Sequence, residues 1–586
     1  MSYAGKVLRV NLTTGDNRVE KLNEKWAHDY FGGKGLGIKY LYEELAPGVD
    51  PLSPDNKMIL MTGPFTGTTV PVSGKLGIIT KSPATGTVLD CSIGGHFAGE
   101  LKFAGYDAVI LEGKATNPSY LYIEDGLVEM RSAADLWGRG AQDTEVALRA
   151  KLSPEIKVLA IGPAGENLVT MSCITSELYR QAARGGVGAV MGSKNLKAVA
   201  VRGSGSISVP DISNFVATVK EIMRTDTLTD TNLWAFTDGT PMLMDLSQNT
   251  GILPTRNFQE GTFTAFENLN SDSLKKVRAG KKGCLSCALG CGNYSKTGRA
   301  AVEGPEYETL AIGGSNCGIE DLEGIIKFND LCDNLGIDTI SAGNVTAFAM
   351  ELTEKGVKDF GLRFGDTAGY LQVPELIARR AGIGADLALG VKKLAQQYGG
   401  GEFAMHVKGL EFPGYEPRGS WGMGLAYATS DRGACHLRAW PVAEEAYGER
   451  DPFTIDGKAQ LVMDMQHYNA VKFSLILCDF WALSLETMAQ MLSAALGRSI
   501  NEEDLRQAGE RVVNLARQFN VREGFGKGED ILPERIFKET LKTGATAGKL
   551  LPREEFDNML KEYYALRGWD ENGRPSAQTL SKLGIV

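Results

Sequence analysis

The residues best suited to carry chemistry are three cysteines spaced C-x2-C-x3-C, at Cys284, Cys287 and Cys291. Thiolates are soft ligands, and groups made only of cysteine bind zinc or iron–sulfur clusters rather than hard cations. Three cysteines leave one ligand missing, and the candidate is Cys478, which lies in an apolar run that would bury its sulfur. The spacing alone leaves open an iron–sulfur cluster, a structural zinc ion or no metal.

The length and net charge of the chain limit the class of protein to which it can belong. A chain of 586 residues is too long for one hydrophobic core and predicts three or four domains. With 62 basic and 72 acidic residues, the net charge of −10 offers no surface for nucleic acid or an anionic membrane. No apolar run approaches the roughly 18 residues of a membrane span, and no signal-peptide pattern begins the chain. A cytoplasmic enzyme is expected, and the odd total of nine cysteines fits a reducing compartment.

Short β-rich runs separated by glycine continue up to residue 204, beginning with a predicted hairpin over residues 6–21. Two glycine-dense loops, 92–97 and 180–197, combine backbone N–H groups with cations, which suits an anionic ligand. Tight turns with solvated charges are the alternative reading of both loops. The loop at 32–37 lacks the third glycine of G-x-G-x-x-G, so a nucleotide site there is not favoured.

The pattern becomes helical beyond residue 205. A helix predicted from Glu320 to Leu335 ends at Gly336, a residue that easily takes the left-handed conformation. Asp333 lies in its last turn, where the helix dipole disfavours a carboxylate by about 0.3–1 kcal/mol, so a partner is expected. Asp338 is a good N-cap for a following helix over residues 339–355, and Asn501 for a later one.

Several unusual strings, taken in order, resemble the aldehyde ferredoxin oxidoreductase family of tungsten-pterin enzymes. Besides the cysteine group, these strings are Thr80–Pro83, Glu100–Asp107, Arg184–Lys197, Gly304–Glu308 and Arg432–His436. The resemblance runs from residue 6 to about residue 575. It implies an α+β multidomain fold, with a β-rich domain (1–204) that holds the cofactor and two mainly helical domains (205–405 and 406–586) that cover it.

The resemblance also implies the cofactors. They are a tungsten (or molybdenum) ion held by two pterins, a Mg²⁺ ion bridging the pterin phosphates, and a [4Fe–4S] cluster bound by Cys284, Cys287, Cys291 and Cys478. Asp333 and Asp338 would bond pterin nitrogens, and the loops 92–95 and 180–184 would meet the phosphates. The full set implied to bind cofactor is Lys75, Ser92, Gly94, Gly95, Arg180, Ala183, Arg184, Asp333, Asp338, Asp431, Arg432, Cys435 and Leu477.

This chain departs from the family pattern at several positions. Phe473 stands where a second pterin-binding acid is expected, and Ser92 replaces an asparagine of the phosphate loop. Lys75 replaces an arginine between pterin and cluster, which keeps the charge but loses the bidentate fork. Lys327 and Asp330 replace the E-x2-H pair that binds a metal between subunits in some members. Any oligomer is therefore expected to lack a bridging metal.

The favoured function is oxidation of an aldehyde to a carboxylic acid, with electrons passing through the cluster to ferredoxin or a ferredoxin-like subunit. By resemblance, Glu308 is the general base, His436 donates a hydrogen bond to the carbonyl oxygen, and Tyr307 orients Glu308. From the sequence pattern alone, Glu308 could equally well be a surface glutamate and His436 a core histidine.

Two rival functions remain open. The first is low-potential reduction of an aromatic acyl-CoA or related carboxylate derivative on the same cofactor, with Cys317, Trp421 and Trp440 near an altered site. The second is a non-catalytic electron-transfer subunit, against which a paired glutamate and histidine argue. Neither nucleic acid nor a membrane is expected as a partner.

Overall fold

Two six-stranded sheets form the N-terminal part of the protein in the computed structural model, which describes residues 2–297 and 300–585. Their strands are β1 (Lys6–Asn11), β2 (Asn17–Lys21), β3 (Met58–Met61), β4 (Leu76–Lys81), β5 (Val88–Ile93), β6 (Ala108–Glu112), β7 (Ser119–Glu124), β8 (Leu127–Ser132), β9 (Lys157–Ala160), β10 (Ile174–Ser176), β11 (Arg180–Ala182) and β12 (Leu196–Arg202). The strand orders are β2-β1-β6-β3-β4-β5 and β11-β10-β9-β12-β7-β8.

The predicted hairpin is confirmed, because β1 pairs antiparallel with β2 while its other edge pairs parallel with β6. Apolar side chains from both sheets, among them Leu60, Ile78, Leu121 and Val199, share one buried core. Six helices cover this part, namely α1 (Glu24–Tyr30), α2 (Gly33–Glu44), α3 (Phe97–Phe103), α4 (Ala141–Lys151), α5 (Pro163–Glu166) and α6 (Val187–Ser193).

The remaining chain is mainly helical, as expected. Its helices are α7 (Ile212–Ile222), α8 (Asp230–Thr237), α9 (Leu243–Thr250), α10 (Ser271–Val277), α11 (Leu322–Leu335), α12 (Thr339–Glu354), α13 (Thr367–Tyr370), α14 (Val373–Arg379), α15 (Gly384–Leu387), α16 (Val391–Tyr398), α17 (Trp421–Thr429), α18 (Lys458–Leu475), α19 (Leu485–Leu496), α20 (Glu502–Arg522), α21 (Glu534–Lys538), α22 (Arg553–Leu566) and α23 (Ala577–Lys582). The α+β class is confirmed, whereas the boundaries after residues 204 and 405 stay predictions.

The cysteine group lies in a loop of a small sheet that the sequence pattern did not predict. Strands β13 (Arg278–Lys282), β14 (Gly292–Thr297) and β15 (Ala300–Glu303) pair antiparallel in that order. The loop between β13 and β14 carries the three clustered cysteines. A short pair, β16 (His406–Val407) and β17 (Leu410–Glu411), precedes α17. No helix in the two described stretches is long and apolar enough to cross a membrane.

The predicted helix ends are confirmed. Gly336 follows α11 with φ +73°, and Asp338 begins α12 by accepting hydrogen bonds from the backbone of Ile340 and Ser341. Asn501 caps α20, where its side chain and that of Asp504 form a reciprocal capping box.

A π-helical turn over Thr309–Gly314 follows Glu308 directly. Helix α12 packs closely on this turn, because a Cβ added at Gly343 would lie 2.7 Å from the carbonyl oxygen of Ile312. π-Turns inside helices are often found at functional sites. The turn and α12 together fix the direction in which Glu308 leaves the backbone.

Candidate active site and cofactor-binding surface

Glu308 and His436, which lie far apart in sequence, face each other in the structure. Glu308 Oε1 is 3.6 Å from His436 Nδ1, and the two side chains are 16% and 17% exposed. Within the described residues, neither of these two atoms has a hydrogen-bond partner. Buried polar atoms are normally paired, so this orphaned acceptor and ring nitrogen fit a site prepared for a ligand.

Gly414 supports the carboxylate from the other side. Its N–H donates to Glu308 Oε2 at 2.8 Å, and its carbonyl accepts a hydrogen bond from the hydroxyl of Tyr307. The Tyr307 hydroxyl is also 2.7 Å from Ser247 Oγ. Tyr307 therefore orients Glu308 through the Gly414 peptide and leaves the other carboxylate oxygen free to point at His436. Nothing in the sequence pattern around Gly414 indicated this role.

The surroundings change the proton affinity of both groups. Burial raises the pKa of Glu308 to about 8, although the Gly414 N–H and Arg184 oppose the rise. Burial, with Arg184 nearby, lowers the pKa of His436 to about 3. His436 is thus neutral near pH 7, while Glu308 exchanges its proton close to physiological pH, which is the range that suits a general base.

Aromatic rings line the space beside this pair. The ring of Tyr415 lies 5.6 Å from that of His436 and 5.7 Å from that of Trp440, which is in turn 5.7 Å from Tyr447. Trp440 is therefore at the site, as the sequence analysis expected of it. Trp421 instead packs in the helical core against Phe453.

Cys317, which the sequence analysis also considered for the site, is fully buried in the helical core that contains Trp421. Its thiol contacts the carbonyl oxygens of Ile312 and Gly343.

The four predicted cluster cysteines come together although one is distant in sequence. Val72 joins their two segments, because its N–H donates to Ser286 O at 3.0 Å and its carbonyl accepts from Cys478 N at 3.1 Å. Burial raises the pKa of all four thiols, and each pKa is raised further by at least one other thiol of the set. Cys478 is half-buried as a residue and packs against an apolar cluster that includes Leu475 and Leu477.

Among residues 2–297 and 300–585, no three His, Cys, Asp or Glu side chains are grouped as ligands of a single metal ion. The choice between an iron–sulfur cluster and a zinc ion, which the cysteine spacing left open, stays a prediction.

The glycine loop predicted to meet phosphate touches the cysteine loop. A Cβ at Gly94 would lie 2.7 Å from Cys284 Sγ, so only glycine fits there, and Leu285 N donates to Gly95 O at 3.1 Å. Ser92 lies next to this loop, in β5, and is partly exposed. Lys75 lies beside Cys478 and forms an ion pair with Asp479.

Half-buried Arg180 and buried Arg184 have guanidinium nitrogens without hydrogen-bond partners within the described ranges. Arg180 pairs with Glu303 at 2.7 Å, and Arg184 donates to the carbonyl oxygen of Glu411. In the described part of the chain, Arg180 Nε and Arg184 Nε and Nη1 are buried without a hydrogen-bond acceptor. Buried guanidinium nitrogens need partners, and phosphate oxygens supply such acceptors. Ala183 lies between them, and its carbonyl accepts from the Cys91 thiol at 3.2 Å.

The acids of the two helix ends have protein partners. Asp333 accepts from the side-chain amides of Gln181 at 2.8 Å and Asn329 at 3.2 Å, so its expected partner need not be a pterin. Burial raises the pKa of Asp333 well above its usual range. Asp338 is engaged as the N-cap of α12 and lies 3.7 Å from Arg184 Nε. Both remain at the site, but pterin binding through them stays a prediction.

A buried charge network that the sequence analysis missed surrounds Asp431. Lys34 and Arg438 each pair with both Asp431 and Asp90. The Arg438 guanidinium also lies 5.6 Å from the ring of Phe473, the position where the family acid is absent. The only local signal was Lys34, in a glycine-rich loop considered for nucleotide binding.

Arg432 and Cys435 connect this network to the Glu308–His436 pair. Arg432 donates to Asp90 O at 2.9 Å and to the Cys435 sulfur at 3.1 Å. Burial alone would raise the pKa of Cys435, but Arg432, Arg438 and Arg184 outweigh it and lower that pKa. Leu477 is fully buried next to Cys478 and contributes packing.

The Glu308–His436 pair lies close to the residues predicted to bind the cofactor. The hydroxyl oxygen of Thr309, the residue after Glu308, lies 2.9 Å from the hydroxyl oxygen of Thr339, the residue after Asp338. A cavity of about 320 Å³ borders Gly185 and Ser341, the neighbours of Arg184 and Asp338, and is also lined by Lys392 and Lys393. The two lysines are the cations of this cavity, and neither Arg180 nor Arg184 lines it.

Known proteins match this chain over nearly its whole length. Residues 7–203 match the family described as "Aldehyde ferredoxin oxidoreductase, N-terminal domain", and residues 216–585 match its "domains 2 & 3". The tungsten-containing aldehyde ferredoxin oxidoreductase of Pyrococcus furiosus is 42% identical, covering 99% of both chains, and that of Thermococcus kodakarensis is 41% identical over the same shares. An aliphatic sulfonate oxidoreductase, WOR-like subunit, of Pyrococcus furiosus is 31% identical over 100% of this chain and 97% of its own length.

One solved structure is similar over the full length. It is the active site complex BamBC of benzoyl coenzyme A reductase with 1,5-dienoyl-CoA, at a TM-score of 0.85 and 26% identity. The match covers 100% of this chain and 97% of that one.

Proposed function

Because the chain belongs to the aldehyde ferredoxin oxidoreductase family, we propose that it oxidises an aldehyde to a carboxylic acid at a tungsten–pterin centre and passes the electrons to a ferredoxin. The observation that carries the proposal is the Glu308–His436 pair, 3.6 Å apart, near Arg184, whose buried Nε and Nη1 have no hydrogen-bond acceptor in the described chain. The tungsten–pterin group, when bound, supplies the two-electron acceptor that no side chain can provide.

Each side chain of the pair has a distinct part in the reaction. Glu308 Oε1 accepts a proton from the water that adds to the carbonyl carbon, and the Gly414 N–H keeps the other oxygen in place. Neutral His436 donates its N–H to the carbonyl oxygen and stabilises the charge that develops there. The net reaction removes two electrons and two protons from the aldehyde and water together. Tyr415, Trp440 and Tyr447 favour an aldehyde with an apolar substituent.

The remaining cofactors follow from the neighbouring residues. Arg180 and Arg184 would hold pterin phosphates, and the 92–95 and 180–184 loops would bind the accompanying Mg²⁺ ion. Cys284, Cys287, Cys291 and Cys478 would bind a [4Fe–4S] cluster through which electrons leave singly. The partner is a free ferredoxin or an iron–sulfur subunit, and the cytoplasmic location stays a prediction.

The alternative function is reduction of an aromatic acyl-CoA thioester. The structural similarity to the benzoyl coenzyme A reductase complex supports this alternative. The aldehyde-oxidising relatives are more similar in sequence, at 42% against 26% identity. We therefore prefer the aldehyde reaction.

The test of the function is an assay of the protein purified without oxygen. Tungsten content is measured, and a panel of aliphatic and aromatic aldehydes is offered with a viologen dye as electron acceptor. Aldehyde-dependent dye reduction supports the proposal. Activity with benzoyl-CoA alone would establish the alternative, and tungsten-loaded protein inactive with both would indicate a non-catalytic subunit.

The cluster is tested by Cys478→Ser. A hydroxyl is a poorer ligand for soft iron than a thiolate, so we expect iron to fall below the roughly four atoms per chain of an intact cluster. The EPR signal of the reduced cluster should change or disappear, while tungsten content is retained. Cys317→Ala, which removes a buried thiol elsewhere, is the control and should keep both iron and signal. One zinc per chain and no iron in the unmodified protein would refute the cluster.

A bridging metal between subunits is not expected. Lys327 pairs with Glu323 at 2.9 Å, and Asp330 accepts from Gln142 at 3.4 Å, so both side chains have partners within their own chain. An ammonium group cannot serve as a metal ligand. Any oligomer should keep its mass in EDTA, as measured by light scattering. Dissociation that iron or zinc reverses would contradict this prediction.

A further inference from the structure

An exposed group of apolar side chains, Leu228, Leu233 and Phe236, lies in and just before α8 and is called here the α8 patch. These side chains are 65%, 50% and 57% exposed. Leu233 and Phe236 are three residues apart, so they lie on one face of the helix. Exposed apolar patches on a folded protein commonly mark interaction sites.

Helix α8 packs against the cysteine segments. Ala235 is fully buried, and the ring of Trp234 lies 5.7 Å from that of Phe480, two residues beyond Cys478. A Cβ at Gly290, which precedes Cys291, would be 3.7 Å from the ring of Phe236. The α8 patch therefore lies next to the loop that carries Cys291.

Strand β13 adds positive charge at the edge of the patch. Lys281 Nζ lies 5.7 Å from the centre of the Phe236 ring and donates to Ala235 O at 3.2 Å. Arg278 donates to Thr237 O at 2.6 Å. Lys282, the next residue of the strand after Lys281, is directed away from the patch, with its Nζ 5.7 Å from the Tyr179 ring and 3.9 Å from Glu177 Oε2. One nearby acid, Asp238, is paired with Lys275 at 2.5 Å, whereas Asp230 is exposed. These cations stand out in a chain whose net charge is −10.

We propose that the α8 patch and the cations of β13 dock an acidic iron–sulfur electron carrier. This inference rests on the proposed function, because it places the carrier where electrons would leave the cluster. Apolar contact with charge complementarity at the edge suits a transient redox complex, which buries little area and associates quickly. Two successive docking events, each taking one electron, balance the two electrons released per aldehyde.

The experiment compares two electron acceptors on anaerobically purified holoenzyme. A purified acidic ferredoxin needs the docking surface, whereas a viologen dye is small enough to react without it. Leu233→Ser and Lys281→Glu should each raise the KM for ferredoxin roughly tenfold, the loss expected when one useful contact is removed. The viologen-dependent kcat should stay unchanged. The effect of Lys281→Glu should shrink at high salt, because exposed charges are then screened.

Two exposed positions on other surfaces provide matched controls. Val357→Ser changes an apolar side chain that is 46% exposed, and Lys561→Glu reverses an exposed charge on α22. Both controls should keep the KM for ferredoxin. Unchanged KM values in Leu233→Ser and Lys281→Glu, with normal dye reduction, would overturn the docking surface and leave the proposed function intact. Absence of aldehyde-dependent dye reduction in the unmodified enzyme would overturn the function itself.

A second copy of this chain is the competing occupant of the patch. Light scattering of Leu233→Ser decides between the two. Loss of an oligomer present in the unmodified enzyme, with ferredoxin kinetics unchanged, would assign the patch to self-association and overturn the proposal.

Discussion

Glu308→Gln should lower the turnover of aldehyde by roughly 10²–10⁴, the usual contribution of a general base. Glutamine keeps the shape of the side chain and can still accept the Gly414 N–H bond, but it cannot take a proton from water. Substrate binding should therefore survive, so that kcat falls while KM changes little. The measurement is viologen reduction on protein with matched tungsten and iron contents.

The pH profile provides a second measurement on the same variant. The base form of Glu308 increases as the pH rises through its pKa of about 8, so kcat should rise with pH and level off above that value. The glutamine variant should lose this rise. Glu306→Gln, which changes a neighbouring acid bonded to the Thr240 hydroxyl, should keep it. A Glu308→Gln enzyme with more than about a tenth of normal turnover would place the base elsewhere.

The same carboxyl group affects stability in the opposite sense. Its folded pKa is raised above the ordinary value, so the folded state binds the proton more tightly than the unfolded state. Its contribution to the free energy of unfolding is greatest below the unfolded pKa and is lost as the pH rises towards 8. Catalysis thus uses the form of Glu308 that stabilises the fold least.

His436→Ala should reduce kcat by roughly 10²–10³, the cost of removing one donor to a developing oxyanion. Because burial lowers the pKa of His436 to about 3, the ring is neutral over the working range. The loss should therefore be nearly independent of pH above about 5, unlike that of Glu308→Gln. His406→Ala, a change of another largely buried histidine outside the site, is the control for stability.

The double variant shows whether both side chains serve one step. If they do, its loss should be much smaller than the product of the two single losses. Fully multiplicative losses would indicate that His436 and Glu308 act in separate steps.

Structural features that depend only on neighbouring residues could be predicted from the sequence. Gly336 ends α11 and Asp338 begins α12 because each depends only on the conformation of a few neighbouring residues. The C-x2-C-x3-C spacing likewise required the three cysteines to lie in one short segment, which is a loop in the structure, whereas metal binding by them stays a prediction. The hairpin of β1 and β2 was equally local.

Contacts between distant segments were not predictable in the same way. The pattern around Glu308 and His436 fits a surface acid and a core histidine, and only the packing of the π-turn against the 412–436 segment brings them together. The Gly414 peptide acts through its backbone, which leaves no signal in residue type. The sheet β13–β15 was missed because its strands are short and rich in glycine and lysine.

The π-helical turn after Glu308 makes the site sensitive to the length of the chain there. A π-turn accommodates one more residue than an α-helical turn, and each residue of an α-helix rotates the chain by about 100°. Removing one residue from Thr309–Gly314 would restore ordinary helix and swing the Glu308 carboxylate away from His436, while α12 holds the downstream end in place. Among homologues, a deletion in this segment would therefore mark a chain that keeps the fold and the cysteine group but has lost its base.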